Sequence, residues 1–443
     1  MQLQSNAKAS NQTPLNSHAS GAAPLIFISA GDPSGDAHAA KLVEALTQRL
    51  PDARFVAFAG PKTAATRCDV RVELTKFAVM MLKKAVINLV NYARILKAAD
   101  DIFHKEKPDV VVIVDFPSFN WRIAKKAKAA GIPVVYFMPP QLWGWGQRRV
   151  KKMRKYVDLI LSCFEFENKW FLERGCRSIF IGHPFFEEAR SRERDEAFIE
   201  QMRTLHPRSR FVAVLPGSRN QEVADNIGDL VSAAEEIQSA VPNVMPIFAA
   251  YNDNHAMLIR SRLQERNLNF TVCVGKTPEV MRLAECCFGV SGSVSIELLS
   301  LCKPAAIQYR VSRAAYIALR FLKRVKYVTL VNILAVDEMD GETPFYPAGT
   351  FAAQTEHTTR ERELMLFPEF LSYKPLAKQV SAVVVDWLKN DEHLREKAAA
   401  LEELRRKTDL VEHPILRAAQ VIDEEFIARK IEAYSSKMQA PID

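Results

Sequence analysis

The sequence predicts an α/β protein made of two Rossmann-like, doubly wound domains followed by a helical C-terminal segment. Three observations carry that prediction. Short β-branched runs alternate with helical patterns in two separate series, the spacing of parallel sheets with crossover helices. In each series a strand runs directly into a Gly/Ser turn and a helix, as in nucleotide-binding folds. The chain has 443 residues, more than one core usually organises. The expected organisation is a disordered tail over 1–24, an N-terminal domain over 25–188 and a linker over 189–210. A second domain over 211–370 and C-terminal helices over 371–443 complete it.

Composition narrows the class without choosing a function. Hydrophobic residues make up 48% and charged residues 25%, ordinary for a globular chain. The net charge of +8 permits attraction to phosphate groups, nucleic acid or an anionic membrane surface. Seven cysteines are scattered with no C-x-x-C pair, which supports neither a zinc site nor a disulfide framework. Buried thiols in a reducing, cytosolic setting are expected. The first residues, to about Ala23, are rich in Ser, Asn, Gln and Ala. They show neither the apolar core of a signal peptide nor an Arg-rich transit pattern. No apolar run is long enough to span a bilayer.

The first series opens with Leu25-Ile26-Phe27-Ile28-Ser29 and the turn Gly31-Asp32-Pro33-Ser34-Gly35-Asp36. Two acids argue against a bare phosphate in this turn. Sugar hydroxyls, which donate to carboxylates, suit Asp32, Ser34, Gly35 and Asp36 better. The alternative for Asp36 is a helix cap. Phe55–Ala59 is the second strand. Phe77 to Leu96 then places apolar residues around most of a helix, interrupted by Lys83, Lys84 and Arg94. Such a helix is either buried or meets lipid. The lipid reading makes Met80, Met81, Leu82, Lys83, Lys84 and Ile87 membrane contacts.

Val110–Val114 is the clearest parallel strand, with Asp115 at its carboxyl end. A carboxylate there, flanked by Phe116 and Phe119, suits a raised pKa and general-base work. A loop-tying Asp is the competing reading. Val134–Phe137 leads to Trp143-Gly144-Trp145, a loop able to offer a flat surface to sugar or acyl chain. A basic helix follows (Arg148 to Lys155). Leu159–Ser162 and Ile179–Ile181 close the first sheet, and His183 reads as a loop-tying residue.

The second series starts at Phe211–Leu215 and turns at Pro216-Gly217-Ser218-Arg219. Free N–H groups, a helix dipole and a forked cation together suit an anion site of Gly217, Ser218 and Arg219, the alternative being a plain turn before a helix with a solvated Arg219. Strands at 244–248, 270–274, 287–290 and 305–309 follow. The turn Ser291-Gly292-Ser293 and the helix residue Glu297 suit phosphate or ribose. Glu297 has a second reading, a charge complementing its helix N-terminus.

At this point the motifs carry a family. The pieces are Ala30–Asp36, Val114–Asn120, Pro140–Trp145, Phe164–Glu167, Ile181–Pro184, Leu215–Arg219, Ser291 through Glu297, and Tyr327–Leu334. In this order the chain resembles a lipid A disaccharide synthase, an inverting glycosyltransferase of the two-Rossmann (GT-B) type. The resemblance implies a UDP-2,3-diacylglucosamine donor, a 2,3-diacylglucosamine 1-phosphate acceptor, and a β-1,6 disaccharide plus UDP as products. It implies Asp115 as general base on the acceptor hydroxyl and Arg219 at the departing diphosphate. Ser291, Gly292, Ser293 and Glu297 match the nucleotide end, and Asn332 a family Asn near the active site. It implies no redox cofactor and no essential metal, and peripheral work on the inner face of the cytoplasmic membrane, with a homodimer in some members. Departures are Asp32 for the usual Glu, Ser118 for a second Asp, Gly144 for Ala, and Ala335-Val336-Asp337-Glu338 for the basic Ala-Gly-Arg segment.

Two other readings stand beside this one. One is a different GT-B reaction on a UDP-sugar, with another acceptor or as an epimerase. The other is a lapsed homologue that binds UDP-sugar or lipid without turnover. Nucleic acid would rest on the basic helix alone, with no recognised module beside it.

Overall fold

The computed structural model describes residues 23–76, 89–144, 147–290, 292, 294–322, 325–336, 362 and 365–430. The expected contacts Met80, Met81, Leu82, Lys83, Lys84 and Ile87 lie outside them, as do Trp145, Ser291, Ser293 and most of the expected tail. The first sheet has seven strands: β1 (Leu25–Ala30), β2 (Arg54–Ala59), β3 (Asp69–Glu73), β4 (Val110–Val114), β5 (Val134–Phe137), β6 (Leu159–Ser162) and β7 (Ser178–Phe180). Their order is β3-β2-β1-β4-β5-β6-β7. β1 pairs in parallel with both β2 and β4, Ile28 lying against Ala57 and Val112. All five residues of β4 are buried, the signature of a strand covered on both faces.

The second sheet has six strands: β8 (Arg210–Leu215), β9 (Val244–Ala250), β10 (Thr271–Val274), β11 (Cys286–Gly289), β12 (Ala305–Arg310) and β13 (Glu369–Ser372). The order β10-β9-β8-β11-β12-β13 repeats the first pattern, and its registered pairs are parallel. In each sheet, chain order reverses between the first strand and the fourth. That switch point leaves an opening beyond the strands' carboxyl ends. β1 and β4 meet there in one sheet, β8 and β11 in the other.

Contacts divide the chain into two compact units. One takes the residues up to Pro139, Lys155–Ile160 and those from Ile415 onward; the other takes Pro140–Arg154 and Leu161–Pro414. In the second unit the helix Asn220–Ala240 lies on the sheet, burying Ile227, Leu230, Val231 and Ile237. The helix Ala377–Lys389 adds Val380, Val384 and Trp387 to the same core. The charged stretch 189–210 is packed here too: the helix Glu196–Leu205 buries Ile199 and Met202.

β3 and β13 were not among the expected strands. β3 reads Asp-Val-Arg-Val-Glu, and its apolar–polar alternation gives a partly exposed edge strand. β13 begins with the buried Glu369, which hid it. The stretch Phe77 to Leu96 is described from Leu89. There it is a core helix, Leu89–Lys105, that buries Ile95, Ala99, Ile102 and Phe103. Six of the seven cysteines are buried and none is paired.

Candidate active site

The carboxyl ends of β1 and β4 carry an acidic candidate site. After Val114 the backbone enters the left-handed region at two successive residues, Asp115 (φ 40°) and Phe116 (φ 44°). Each such non-glycine residue costs about 1–3 kcal/mol and persists only where its surroundings impose it. Here the surroundings do so. Asn120 is fully buried and donates from Nδ2 to the carbonyls of Asp115 (2.8 Å), Val114 (3.1 Å) and Ser29 (3.3 Å). Its Oδ1 accepts from Ser29 Oγ at 2.7 Å. Tyr136 adds its hydroxyl to the Asp115 carbonyl at 3.0 Å. One side chain thus joins the ends of β1 and β4 and clamps the turn between them.

The turn explains a glycine. A Cβ on Gly31 would lie 2.0 Å from the Phe116 ring, so only glycine lets that ring close over the β1 turn. Gly35 is similarly confined, since its Cβ would lie 2.6 Å from Asp32 Oδ1. Asp32 and Asp115 are therefore neighbours in effect as well as in topology. Burial pushes the Asp115 carboxyl up to about 6, and the negative charge of Asp32 adds to the shift. Ser34 is exposed in the first helical turn beside them.

Asp36 serves the fold instead of a ligand. Its Oδ1 accepts from Gly60 N (2.8 Å), Thr63 N (3.1 Å) and Thr63 Oγ1 (2.6 Å), and its Oδ2 from Lys62 N (2.9 Å). It caps not its own helix but the short helix Pro61–Ala64 after β2. With both oxygens engaged and the residue buried, no sugar hydroxyl needs to be invoked for it.

A separate candidate site lies at the ends of β8 and β11. Gly217 has φ 108°, which a side chain would strain, and it turns the chain from β8 into the helix Asn220–Ala240. Ser218 and Arg219 are exposed, and the Arg219 side chain keeps 77% of its surface open while pairing with Glu222. A Cβ on Gly289 would sit 2.1 Å from the Leu215 carbonyl, so β11 approaches β8 there as only glycine allows. Gly292 is exposed and its carbonyl accepts from Ser295 Oγ at 2.8 Å. Glu297, in the first turn of Val294–Ser300, accepts from Arg192 at 2.5 Å. Burial raises its pKa and Arg192 partly offsets that rise. The composition alone did not point to Arg192 or Glu222, because a cation or acid on a charged helix carries no signal of its partner.

Two expected contacts turn inward. Trp143 is 2% exposed and donates its indole N–H to Glu167 at 3.0 Å. Glu167 also accepts from Cys163 N at 3.2 Å, and burial pushes its carboxyl up to about 7. An aromatic so enclosed cannot serve as an open platform. Asn332 is likewise committed. It donates to the Phe367 carbonyl (2.7 Å) and to Glu369 (3.2 Å), and accepts from Phe367 N (2.9 Å). Glu369 takes the N–H groups of Val328 and Thr329 at 2.8 Å each, so the pair fixes the start of the helix Leu330–Ala335. His183 caps the helix Pro184–Ser191, accepting from Phe185 N at 3.2 Å. Among the described residues no group of three or more His, Cys, Asp and Glu side chains could hold a metal ion.

Comparison with known proteins identifies the family and the fold. The family model for lipid-A-disaccharide synthetase matches residues 26–344. The lipid-A-disaccharide synthase of Myxococcus xanthus is 32% identical over 312 residues, covering 70% of this chain and 81% of the relative. That of Nitrosococcus oceani is 30% identical over 314 residues, covering 71% and 81%. Among solved structures, an S. aureus MnaA–UDP co-structure superposes with a TM-score of 0.58 at 10% identity, over 90% of this chain and 96% of its own. That likeness establishes the fold: two Rossmann-like sheets of the GT-B kind. On the family match and these relatives, the chain belongs to the lipid-A-disaccharide synthetase family and is a glycosyltransferase.

Proposed function

We propose that the enzyme joins UDP-2,3-diacylglucosamine to 2,3-diacylglucosamine 1-phosphate, forming a β-1,6-linked disaccharide and UDP. Asp115 is the general base. It takes the proton from the acceptor 6-hydroxyl as that oxygen bonds to the donor's anomeric carbon from the face opposite the leaving group. The bond from that carbon to the diphosphate breaks with inversion, and the electron pair leaves on UDP. Arg219, with the N–H groups of the Gly217–Ser218 turn and the helix dipole, stabilises the charge that develops there. Glu297 and the Gly292 turn hold the nucleotide end, and Asp32 and Ser34 the acceptor sugar. The lipid substrates place the work at the inner face of the cytoplasmic membrane. Among the described residues no helix is long and apolar enough to cross one.

The observation that carries this reading is Asp115 itself. It sits at the switch point of the first sheet, in a costly backbone conformation that Asn120 and Tyr136 enforce, with its pKa near 6. A base of that strength is ionised at neutral pH yet accepts a proton readily. The test is turnover followed by mass spectrometry with both lipid substrates in detergent micelles. Wild type should give the disaccharide, and Asp115→Asn should be slower by roughly a hundredfold or more. Equal rates would remove Asp115 from the mechanism. UDP binding without disaccharide from wild type would favour another acceptor, or a protein that binds without turnover.

A further inference from the structure

We infer that Arg192 is a positioning residue for the nucleotide: it holds Glu297 as an ionised acceptor for the ribose hydroxyls. This rests on the proposed place of Glu297 at the nucleotide end, and adds the residue that fits it for the task. Arg192 is the first residue after the helix Pro184–Ser191, in a stretch that the sequence presents as a charged linker. Its guanidinium stands between two carboxylates. Nη1 donates to Glu297 Oε1 at 2.5 Å, and Nη2 to Glu188 Oε1, one turn back on its own helix, at 2.9 Å. A planar fork suits such a bridge better than an ammonium. Three residues on, Asp195 caps the helix Glu196–Leu205. It also accepts from the Lys276 ammonium at 2.7 Å and gives its N–H to Glu279 at 3.3 Å. Lys276 and Glu279 stand at the start of the helix Thr277–Leu283, as Glu297 does in Val294–Ser300. The segment from Arg192 to Asp195 therefore ties down the first turns of the helices that follow β10 and β11.

Glu297 depends on that tie. Its side chain keeps 22% of its surface open. Burial pushes its pKa up, Arg192 draws it down, and the charges of Glu188 and Glu279 push it up again. Without the cation, three acids would share one corner of the fold, and the Glu297 carboxyl would be protonated or turned away. Only the ionised form offers both oxygens purely as acceptors, which is what a ribose diol requires. Arg192 occupies Oε1, and no described residue donates to Oε2, so that oxygen is left for a ligand. The cavity beside the pair is lined by Arg192, Arg194, Glu279, Arg282 and Glu297 and measures about 20 Å³, room for about one water. No nucleoside fits there, so Arg192 acts through Glu297 and not on the ligand itself.

The test is isothermal titration calorimetry of the full chain with UDP and with 2′,3′-dideoxy-UDP, which lacks both ribose hydroxyls. Wild type should prefer UDP by roughly tenfold or more, the worth of hydrogen bonds to a charged acceptor. Arg192→Gln should weaken UDP binding about tenfold and leave dideoxy-UDP binding unchanged, so the preference collapses. Arg192→Lys restores the charge without the fork and should fall between the two proteins. A loss that is equal for both ligands would make Arg192 a merely structural residue and overturn the inference, as would a preference equal to that of wild type. Glu297→Gln separates this from the reading beneath it. If that change abolishes the preference while Arg192→Gln keeps it, Glu297 serves the nucleotide without Arg192. Equal binding of both ligands by wild type overturns both, and leaves the role of Asp115 standing.

Discussion

The two switch points of this enzyme use one backbone device for opposite electrostatics. At the end of β4 the turn is enclosed. Asp115 is partly buried, feels the charge of Asp32, and is held by a fully buried Asn120. At the end of β8 the turn is open. Gly217 supplies the positive φ that Asp115 and Phe116 adopt against their preference in the first sheet, and Arg219 reaches into solvent. The contrast suits the roles proposed for the two turns. A carboxylate gains basicity by losing water. A guanidinium that binds a large, incoming anion works from an accessible helix N-terminus. One turn is strained and braced, the other relaxed and available, and mutations should therefore act on them differently.

The largest difference should appear with Arg219→Ala. Its side chain is 77% exposed and pairs with Glu222, so melting temperature should barely move. Loss of a preorganised charge at the leaving group should still lower kcat by about a hundred- to a thousandfold. A fall in kcat of less than about threefold would separate Arg219 from the chemistry. Asn120→Ala tests the other side. It leaves the Asp115, Val114 and Ser29 carbonyls short of a donor, so it should destabilise the protein by about 2–3 kcal/mol in urea denaturation. It should also lower kcat, because the strained turn loses its brace. Unchanged stability would show that Tyr136 alone holds Asp115 in place.

Much of this was legible beforehand, and the exceptions have a common cause. Val110–Val114 and Phe211–Leu215 read as buried strands because five or six apolar residues in a row leave no solvent face. The same strand reading put Asp115 and Arg219 just beyond the carboxyl ends of β4 and β8, where they lie. What a sequence does not print is the partner of a polar group. Asp36 looked like a sugar ligand until Gly60, Lys62 and Thr63 proved to occupy it, more than twenty residues on. Trp143 looked like an open platform, but Glu167 draws its indole inward. Asn332 looked like a site residue, and its donors and acceptor go to Phe367 and Glu369. In each case a long-range hydrogen bond decided the role, and such pairs leave no periodicity behind.

Glu167 also yields a stability prediction. Burial raises its folded pKa to about 7, above the ordinary carboxylate value of the unfolded chain. The folded state therefore holds a proton the unfolded state has lost, so the favourable contribution is complete in acid and disappears as pH rises through about 7. Glu167→Gln cannot titrate and forfeits the acceptor for Cys163 N. It should be less stable than wild type at pH 5 by about 1 kcal/mol. That gap should close or reverse by about pH 8, by up to about 3 kcal/mol in total. Parallel stability curves for the two proteins would mean that Glu167 is ionised throughout.

The smallest effect probes the acidic turn directly. Asp115 must be ionised to accept a proton, so kcat/KM should fall as pH drops through about 6. Burial is the larger cause of that raised value and the Asp32 charge the smaller. Asp32→Asn removes only the second, which should move the acid limb to lower pH while leaving it above the ordinary range for an exposed Asp. The position of the limb is independent of any drop in kcat from a lost sugar contact, so the two roles of Asp32 separate in one experiment. A limb that stays in place would mean that water or the turn's own N–H groups screen the pair. The enclosed character of the first switch point would then rest on burial alone, and its contrast with the open β8 turn would be one of solvent rather than of charge.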